Sequence, residues 1–449
     1  MGLISLLITL LVCVVMSFCT IKKPSVTIGF IKCKGRPWQA DSYYLIACLL
    51  PLVLLLIGSL SLEDVYRGIT APRAVNPLKI LVLFFSMCFL SVCLDKAGFF
   101  ELCAAKTLQK AKKGPLTLFN YFYFFIGLLT VFTSNDTIIL AFTPFIYYFC
   151  KNAHIPAAPF IAAEFAAANT FSIMLIIGNP TNIYIATSRG IDFFGYLRVM
   201  AAPALTAGVT AYLVLRLIFS ATLRSRTMTP QANLNVGLKN KSAALLSLAA
   251  LSLCLITMSV SSFLAIEMWL VSLFFAGTLA LALAVLQSVQ QKRHLPAAPI
   301  LSPALQGLPY GLVPFLLSMF VGVLSLEKHG ITGAIADILL RGGGELSGIL
   351  LFGFVSAAAS NILNNIPMSV LFSAVLASAD APVSVAYATV IGSNIGAFIS
   401  PTGALAGMML LRLLKDKDAD FRASAFLRYL APAALASLAA SLVTLRLCL

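Results

Sequence analysis

Apolar residues in this chain come in long unbroken blocks, not in the alternating or one-in-three patterns of a soluble fold. Blocks near the ~20 residues needed to cross a bilayer occupy 1–20, 42–62, 78–95, 199–219, 243–263, 266–288, 310–326 and 425–447. Two longer blocks, 157–188 and 383–414, are interrupted by Gly, Pro and Asn. Two more, 116–150 and 346–379, break at their middles in Ser-Asn-rich tips. Their legs of about 13–18 residues are short for crossings and suit re-entrant elements. The pattern predicts an all-α integral membrane protein with about ten transmembrane helices and two re-entrant hairpins.

Composition sharpens this picture. Of 449 residues, 60% are hydrophobic and 10% charged, and the mean hydropathy is +0.97. A soluble fold of this length would have too little charged surface, which excludes a cytosolic enzyme, a disordered scaffold and a nucleic-acid-binding domain. The net charge of +15 would otherwise suggest a polyanionic partner, yet the basic residues sit in short loops and read as topology signals. With loop 21–41 (Lys22, Lys23, Lys32, Lys34, Arg36) in the cytoplasm, alternation places four further basic loops there. These are 96–115 (Lys106, Lys110, Lys112, Lys113), 220–242 (Arg224, Arg226, Lys239, Lys241), 289–308 (Lys292, Arg293) and 415–424 (Lys415, Lys417, Arg422). About 23 of the 31 Lys and Arg then fall inside, as the positive-inside rule requires. Both termini are expected outside, in a multi-pass protein of the cell (cytoplasmic) membrane. Met1 to Thr20 lacks a basic leading segment, so it reads as a retained span and not as a cleaved signal. The ten cysteines include Cys13, Cys19, Cys48, Cys88, Cys93 and Cys254 inside apolar runs, with no CxxC pair; they read as free, small, buried hydrophobes.

The halves resemble each other. Phe85-Ser86-Met87 followed by Asp95-Lys96-Ala97-Gly98 matches Leu317-Ser318-Met319 followed by Glu327-Lys328-His329-Gly330. Asn135-Asp136 corresponds to Asn364-Asn365 at the hairpin tips, while Asn169 with Asn394 and Gly178 with Gly403 share one offset. An odd number of crossings separates the copies, so they face opposite ways, and one hairpin opens from the cytoplasm and the other from outside. Inverted repeats with broken helices are the architecture of secondary transporters. The organisation expected is N-terminal scaffold spans over 1–77, a first repeat over 78–219, connecting spans over 220–309 and a second repeat over 310–447.

Four polar clusters interrupt these apolar segments: Thr133-Ser134-Asn135-Asp136-Thr137; Ser360-Asn361 with Asn364-Asn365 and Pro367; Asn169 with Gly178-Asn179-Pro180-Thr181-Asn182; and Ser393-Asn394 with Ser400-Pro401-Thr402-Gly403. Helix capping accounts for Ser, Asn and Asp at helix starts. It does not account for turning the chain at mid-membrane, where an unsatisfied backbone group costs several kcal/mol. Such breaks survive when buried in protein or lining a polar cavity. Helix N-termini there offer N–H groups to anions, and freed oxygens can hold a small cation. Ionisable groups within the bilayer are functional candidates by default: Asp136 as cap charge, cation ligand or proton carrier, and Glu164 as a titrating carboxyl or an interfacial hydrogen-bonding one. The histidines lie in loops. HExxH, GxSxG and GxxxxGK[ST] are absent, which argues against an intramembrane hydrolase or a built-in ATPase. A channel would not need an inverted pair of closed hairpins.

These clusters resemble those of the arsenite and sodium–proton antiporter permeases of the ion transporter superfamily, which also holds the divalent anion–sodium symporters. The likeness is carried by Phe132 to Asp136 with Thr143-Pro144, by Gly178 to Asn182, by Ser360-Asn361 with Asn364 to Pro367, and by Gly392 to Gly396 with Ser400 to Gly403. The resemblance implies a dimerising scaffold and a mobile transport domain that carries both hairpins in an elevator-like movement. It implies cation and anion held at the tips Ser134, Asn135, Ser360 and Asn361, with sodium or protons as coupling ions and no other cofactor. Partners would be a small anionic substrate, the bilayer and a second copy of the chain, with no nucleic acid. Arsenite permeases of this kind tend to carry Asp where Asn169 and Asn394 stand, so the neutral amides lean towards a cation-coupled transporter of an inorganic oxyanion or carboxylate. Arsenite efflux and sodium–proton antiport are the alternatives.

Overall fold

The computed structural model describes residues 1–23, 25–33, 36–70, 76–110, 114–224, 237–294, 298–341, 344–415 and 421–449. Of the loop charges named above, Lys34, Lys112, Lys113, Arg226 and Lys417 lie outside the described residues. The chain begins with helix α1 (Gly2–Lys22), an antiparallel ribbon of β1 (Ser25–Cys33) and β2 (Arg36–Asp41), the short helices α2 (Ser42–Ala47) and α3 (Leu49–Leu56), and α4 (Leu62–Thr70). The ribbon is a correction to an otherwise all-helical expectation. Its β-branched and aromatic run Val26-Thr27-Ile28-Gly29-Phe30-Ile31 favours strand pairing over an open loop. The span expected at 42–62 also ends early: the helix stops at Leu56 and turns at Gly58, and Asp64 caps the start of α4 through the Ser61 N–H.

The first repeat comprises α5 (Pro77–Lys96), α6 (Phe99–Lys110), α7 (Pro115–Phe132), α8 (Asn135–Asn152), α9 (Ala158–Phe171), α10 (Pro180–Ser188) and α11 (Phe193–Ile218). After α12 (Ser220–Arg224) come two long connecting helices, α13 (Lys241–Ser261) and α14 (Met268–Lys292), and then α15 (Leu301–Gln306). The second repeat runs α16 (Leu312–Lys328), α17 (Ile331–Leu340), α18 (Glu345–Leu363), α19 (Asn365–Ser378), α20 (Val383–Gly396), α21 (Leu405–Lys415) and α22 (Ala423–Cys448), the last holding a π turn over Phe426–Leu430. Every element of one repeat has its counterpart in the other. The likeness extends to backbone detail. Gly98 and Gly330 both adopt left-handed φ, +87° and +72°, and donate to the Asp95 and Glu327 carbonyls at 2.8 and 3.0 Å. Glycine is needed there because a Cβ disfavours that conformation.

The hairpin legs are 18 and 18 residues in the first repeat and 19 and 14 in the second; these lengths keep to the sequence pattern but for one residue of α18, and α7 and α18 reach spanning length. Their tips nevertheless stop partway. Asn135 at the first tip bonds to Asn169, which lies about 17 Å along α9 from its start at 1.5 Å per residue. Asn361 near the second tip bonds to the Gly396 carbonyl, about 20 Å along α20 from the opposite side. With the starts of α9 and α20 at the edges of a hydrocarbon core about 30 Å thick, both tips would fall near its middle.

Ion pairs between distant elements match the alternation of sides. Lys79–Glu267, Lys328–Asp64 and Arg189–Asp380 each join two segments expected outside. Lys239–Glu101 and Arg412–Asp41 each join two expected inside. Helix α5 is the interior one, with 78% of its apolar window buried, against 28–33% for α1, α13 and α14, whose remaining apolar surface is exposed. The repeats interlock: α8 packs on α21, and α19 packs on α10. Each hairpin therefore leans on the broken helix of the other copy.

Candidate functional site

At the first tip, the chain leaves α7 and restarts at Asn135, with Ser134 at the N-cap. Thr133 donates to the Leu129 carbonyl, which satisfies an end of α7. The Asn135 amide donates to Asn169 Oδ1 at 3.2 Å, and Asn135 Oδ1 accepts the Asp136 N–H at 2.8 Å. Asp136 and Thr137 begin α8 half-buried, whereas Asn135 is fully buried. The Ser134 hydroxyl is buried without a hydrogen-bond partner. It borders a cavity of about 10 Å³ lined by Phe84, Met87, Cys88, Phe132, Thr133 and Ile177, about the room of one water molecule.

In the first broken helix, Asn179 caps α10 by accepting the Thr181 N–H, and Pro180 occupies the first turn, where no N–H is missed. Asn182 donates to the Ser172 carbonyl, left free where α9 ends, and to the Leu175 carbonyl, which also accepts the Gly178 N–H. A side chain thus replaces the helical hydrogen bonds the break removes. Gly178 is obligatory, because a Cβ there would collide with the Ser172 carbonyl. Gly403 holds the same place in the second repeat, where a Cβ would lie 2.8 and 2.9 Å from the Gly396 and Ala397 carbonyls.

The second tip is latched to its own helix break. Asn361 donates to the Ala357 and Gly396 carbonyls and accepts from Ser400 Oγ at 2.6 Å. Thr402 donates to the Asn361 carbonyl, and Asn364 donates to the Thr402 carbonyl. Ser360 donates back to Ser356. Pro401 opens the short turn that ends at Gly403. Asn364 takes a left-handed φ of +80°, unusual without glycine, and caps α19 through the Ile366 N–H. Asn365 Oδ1 is buried and unpartnered.

Asn394 joins the repeats. Its oxygen accepts from Ser172 Oγ at 3.2 Å and Asn179 Nδ2 at 2.9 Å, and its amide donates to Asn182 Oδ1 at 2.7 Å and the Val390 carbonyl at 2.9 Å. Ser172 also approaches the Asn169 carbonyl at 3.1 Å. On the far side, Ser393 meets Ser369, which donates to the Asn365 carbonyl. Two runs of buried polar contacts, Asn135–Asn169–Ser172–Asn394 and Ser393–Ser369–Asn365, therefore start at the two tips and end on the adjacent residues Asn394 and Ser393. Ser393 belongs to the fourth cluster read from the sequence, whereas Ser172 and Ser369 were not singled out there. Their only signal there was serine at an interior position of an apolar helix. Glu164 lies apart on α9, fully buried, with Thr143 Oγ1 3.0 Å from Oε2 and no partner for Oε1. Among the described residues no group of three His, Cys, Asp or Glu is placed to hold a metal ion, and none of the nine cysteines whose side chains are described forms a disulfide.

A chain with this inverted, interlocked architecture can be compared with known proteins. The citrate transporter family profile (CitMHS) matches residues 40–388. The chain belongs to this family. Within it, relatives named arsenical pump membrane protein, from Escherichia coli, are 27% and 28% identical over 75% of this chain and 78% of their own length. A 46 kDa membrane protein of Mycobacterium leprae is 22% identical over 75% of this chain and 79% of its own. The solved structure of the Alcanivorax borkumensis YdaH transporter, described as having an unusual topology, superposes with a TM-score of 0.58. It covers 99% of this chain and 97% of its own at 14% identity, which shows a shared fold. This member of the citrate transporter family is thus a multi-pass membrane transporter and not an enzyme.

Proposed function

We propose that this protein is a secondary active transporter of a small anion, an inorganic oxyanion or a carboxylate, driven by a sodium or proton gradient. The observation that carries the reading is the pair of buried polar runs that start at the two tips and end on the neighbouring Asn394 and Ser393, with Ser134 Oγ and Asn365 Oδ1 left unclaimed at the tips. Helices α8, α10, α19 and α21 all start at the tips or breaks, so their N–H groups and positive dipole ends favour an anion. Asp136, Thr137, Asn361, Ser400 and Thr402 keep partial exposure beside them, and Ile362 is 55% exposed, which supports an approach for solute and water. Thr133, Asn135, Asn169, Asn179, Asn182, Ser360, Asn364 and Asn394, together with Asn361 and Thr402, supply the hydrogen bonds that brace the tips and breaks. Sodium ligation at Ser134, Asn135, Ser360 and Asn361 would use the free Ser134 hydroxyl together with carbonyl oxygens at the tips.

Helices α7–α11 and α18–α22 pack mainly on one another, and α13 and α14 pack on α5, which supports a moving unit and a scaffold. The scaffold's exposed apolar faces, Leu245, Leu253, Phe274 and Leu281 among them, would meet lipid or a second copy. The names of the relatives favour arsenite efflux equally. Uptake of labelled citrate and of labelled arsenite into proteoliposomes, with and without imposed sodium or proton gradients, separates the readings. Accumulation of neither against a gradient would reject both.

A further inference from the structure

The carboxyl of Glu164 takes no part in the tip network, and its surroundings favour one of its two protonation forms. Thr143 Oγ1 lies 2.7 Å from the Ile139 carbonyl oxygen and 3.0 Å from Glu164 Oε2. A hydroxyl carries one hydrogen, and the Ile139 carbonyl can only accept. If Glu164 were a carboxylate, both acceptors would compete for that hydrogen. If it is a carboxylic acid, its Oε2–H is given to Thr143 Oγ1 and the threonine hydrogen goes to Ile139. Oε1, buried and without a partner, fits the same form, because an unpaired charge there would be costly.

The helices and turn packed against α9 supply no counter-charge. Their buried titratable groups are Tyr123 on α7, Cys150 on α8, Tyr196 and Tyr212 on α11 and Tyr387 on α20. Each phenol donates elsewhere: to the Gly208, Ile173 and Gly195 carbonyls from Tyr123, Tyr196 and Tyr387, and to Asn120 Oδ1 from Tyr212. Asp136 stands at the tip, and Lys151, Arg198, Arg216 and Arg428 stand near helix ends; none pairs with Glu164. The repeat supplies an internal control. Glu164 precedes Asn169 by five residues, and the residue five before Asn394 is Thr389, which bonds back to Val385. A hydroxyl is enough to build this helix, so the carboxyl in the first copy answers another need.

We infer that Glu164, with Thr143, is the proton-binding site of the transport cycle. The inference deepens the transporter reading above and rests on it. The proton sits between the returning leg of the first hairpin and the helix that leads to the first break. Its loss leaves a charge that must draw in water or a cation, loosening α8 from α9 at the leg that carries the Asn135 tip.

Infrared spectroscopy of the purified full chain in lipid tests the site without any substrate. Near neutral pH the wild type is expected to show a carboxylic-acid C=O band that Glu164→Gln loses and Asp136→Asn keeps. Persistence of the whole band in Glu164→Gln overturns the proposal. Should Glu164→Gln fail to fold, Thr143→Val is expected to shift the band, and an unshifted band overturns it equally. In proteoliposomes holding a pH dye, proton movement accompanying labelled citrate or arsenite should be lost in Glu164→Gln while anion exchange persists. Proton movement equal to wild type overturns the coupling. If the wild type moves neither anion, the substrate reading fails, and the infrared band still decides the site.

Discussion

At the residue scale, the polar candidates divide into latches and free groups, and the two should respond differently to substitution. Ser134 offers a hydroxyl with no partner, so Ser134→Ala forfeits no hydrogen bond. It should change stability by less than about 0.5 kcal/mol while lowering anion uptake. Asn135→Ala removes the contact with Asn169 and should cost about 1–2 kcal/mol as well as transport. Equal thermal shifts for the two variants in detergent would contradict the division. Asn394 makes a sharper case, since it donates twice and accepts twice. A carboxylate accepts only, and Asn182 cannot turn to help because its amide holds two carbonyls. Asn394→Asp should lose about 1–3 kcal/mol for each oxygen left facing an oxygen; unchanged melting would show that the network tolerates rearrangement.

At the element scale, the broken helices depend on close backbone approach. Gly178 and Gly403 each sit against carbonyls of the preceding half-helix, so Gly178→Ala must push the two halves apart. A loss of about 1–3 kcal/mol together with loss of transport is the expected outcome, read by thermal unfolding and uptake side by side. The outer clasp between α4 and α16 behaves differently. The Lys328 ammonium and the Ser61 N–H and hydroxyl hold the Asp64 carboxyl far below the usual carboxylate range. A folded pKa below the unfolded one stabilises above the unfolded value of about 4 and loses that contribution as pH falls towards the folded one. The pair is exposed, so the gain is small and screened by salt. The melting difference between wild type and Asp64→Asn should be small at pH 7, begin to close below pH about 4, and close at pH 7 in molar salt. A difference that grew on acidification would be inconsistent with the clasp.

At the scale of the whole molecule, the inverted repeat fixes which ends share a side. Asp380 is exposed and pairs with Arg189, and Glu101 pairs with Lys239. In a Cys448→Ala background, Asp380→Cys should react with a membrane-impermeant maleimide on intact cells, and Glu101→Cys only after permeabilisation. Labelling of both from the same side would break the inverted arrangement. The interlocking of α8 with α21 and α19 with α10 also means that neither hairpin can move without the other repeat's broken helix. The transport unit is therefore expected to move as one body carrying both tips, as an elevator-like step requires.

Much of this was legible in the chain itself. Apolar block lengths, basic loops and paired Asn and Gly positions determined the spans, which of their ends share a side, the inverted repeat and the location of both breaks, because lipid forces every backbone group to be satisfied within its own segment. The ribbon over 25–41 escaped because strand pairing in a short basic loop is a local preference that hydropathy does not register. The roles of individual residues in the clusters also lay beyond the sequence. Asn394 and Asn365 look alike there, yet one spends every hydrogen-bonding group on its neighbours and the other leaves an oxygen bare. Only the tertiary structure decides that, since hydrogen-bond satisfaction depends on which residues from the opposite repeat arrive within 3 Å or so. For the same reason the Thr143 contact, which gives Glu164 its form, required α8 and α9 to be folded against each other.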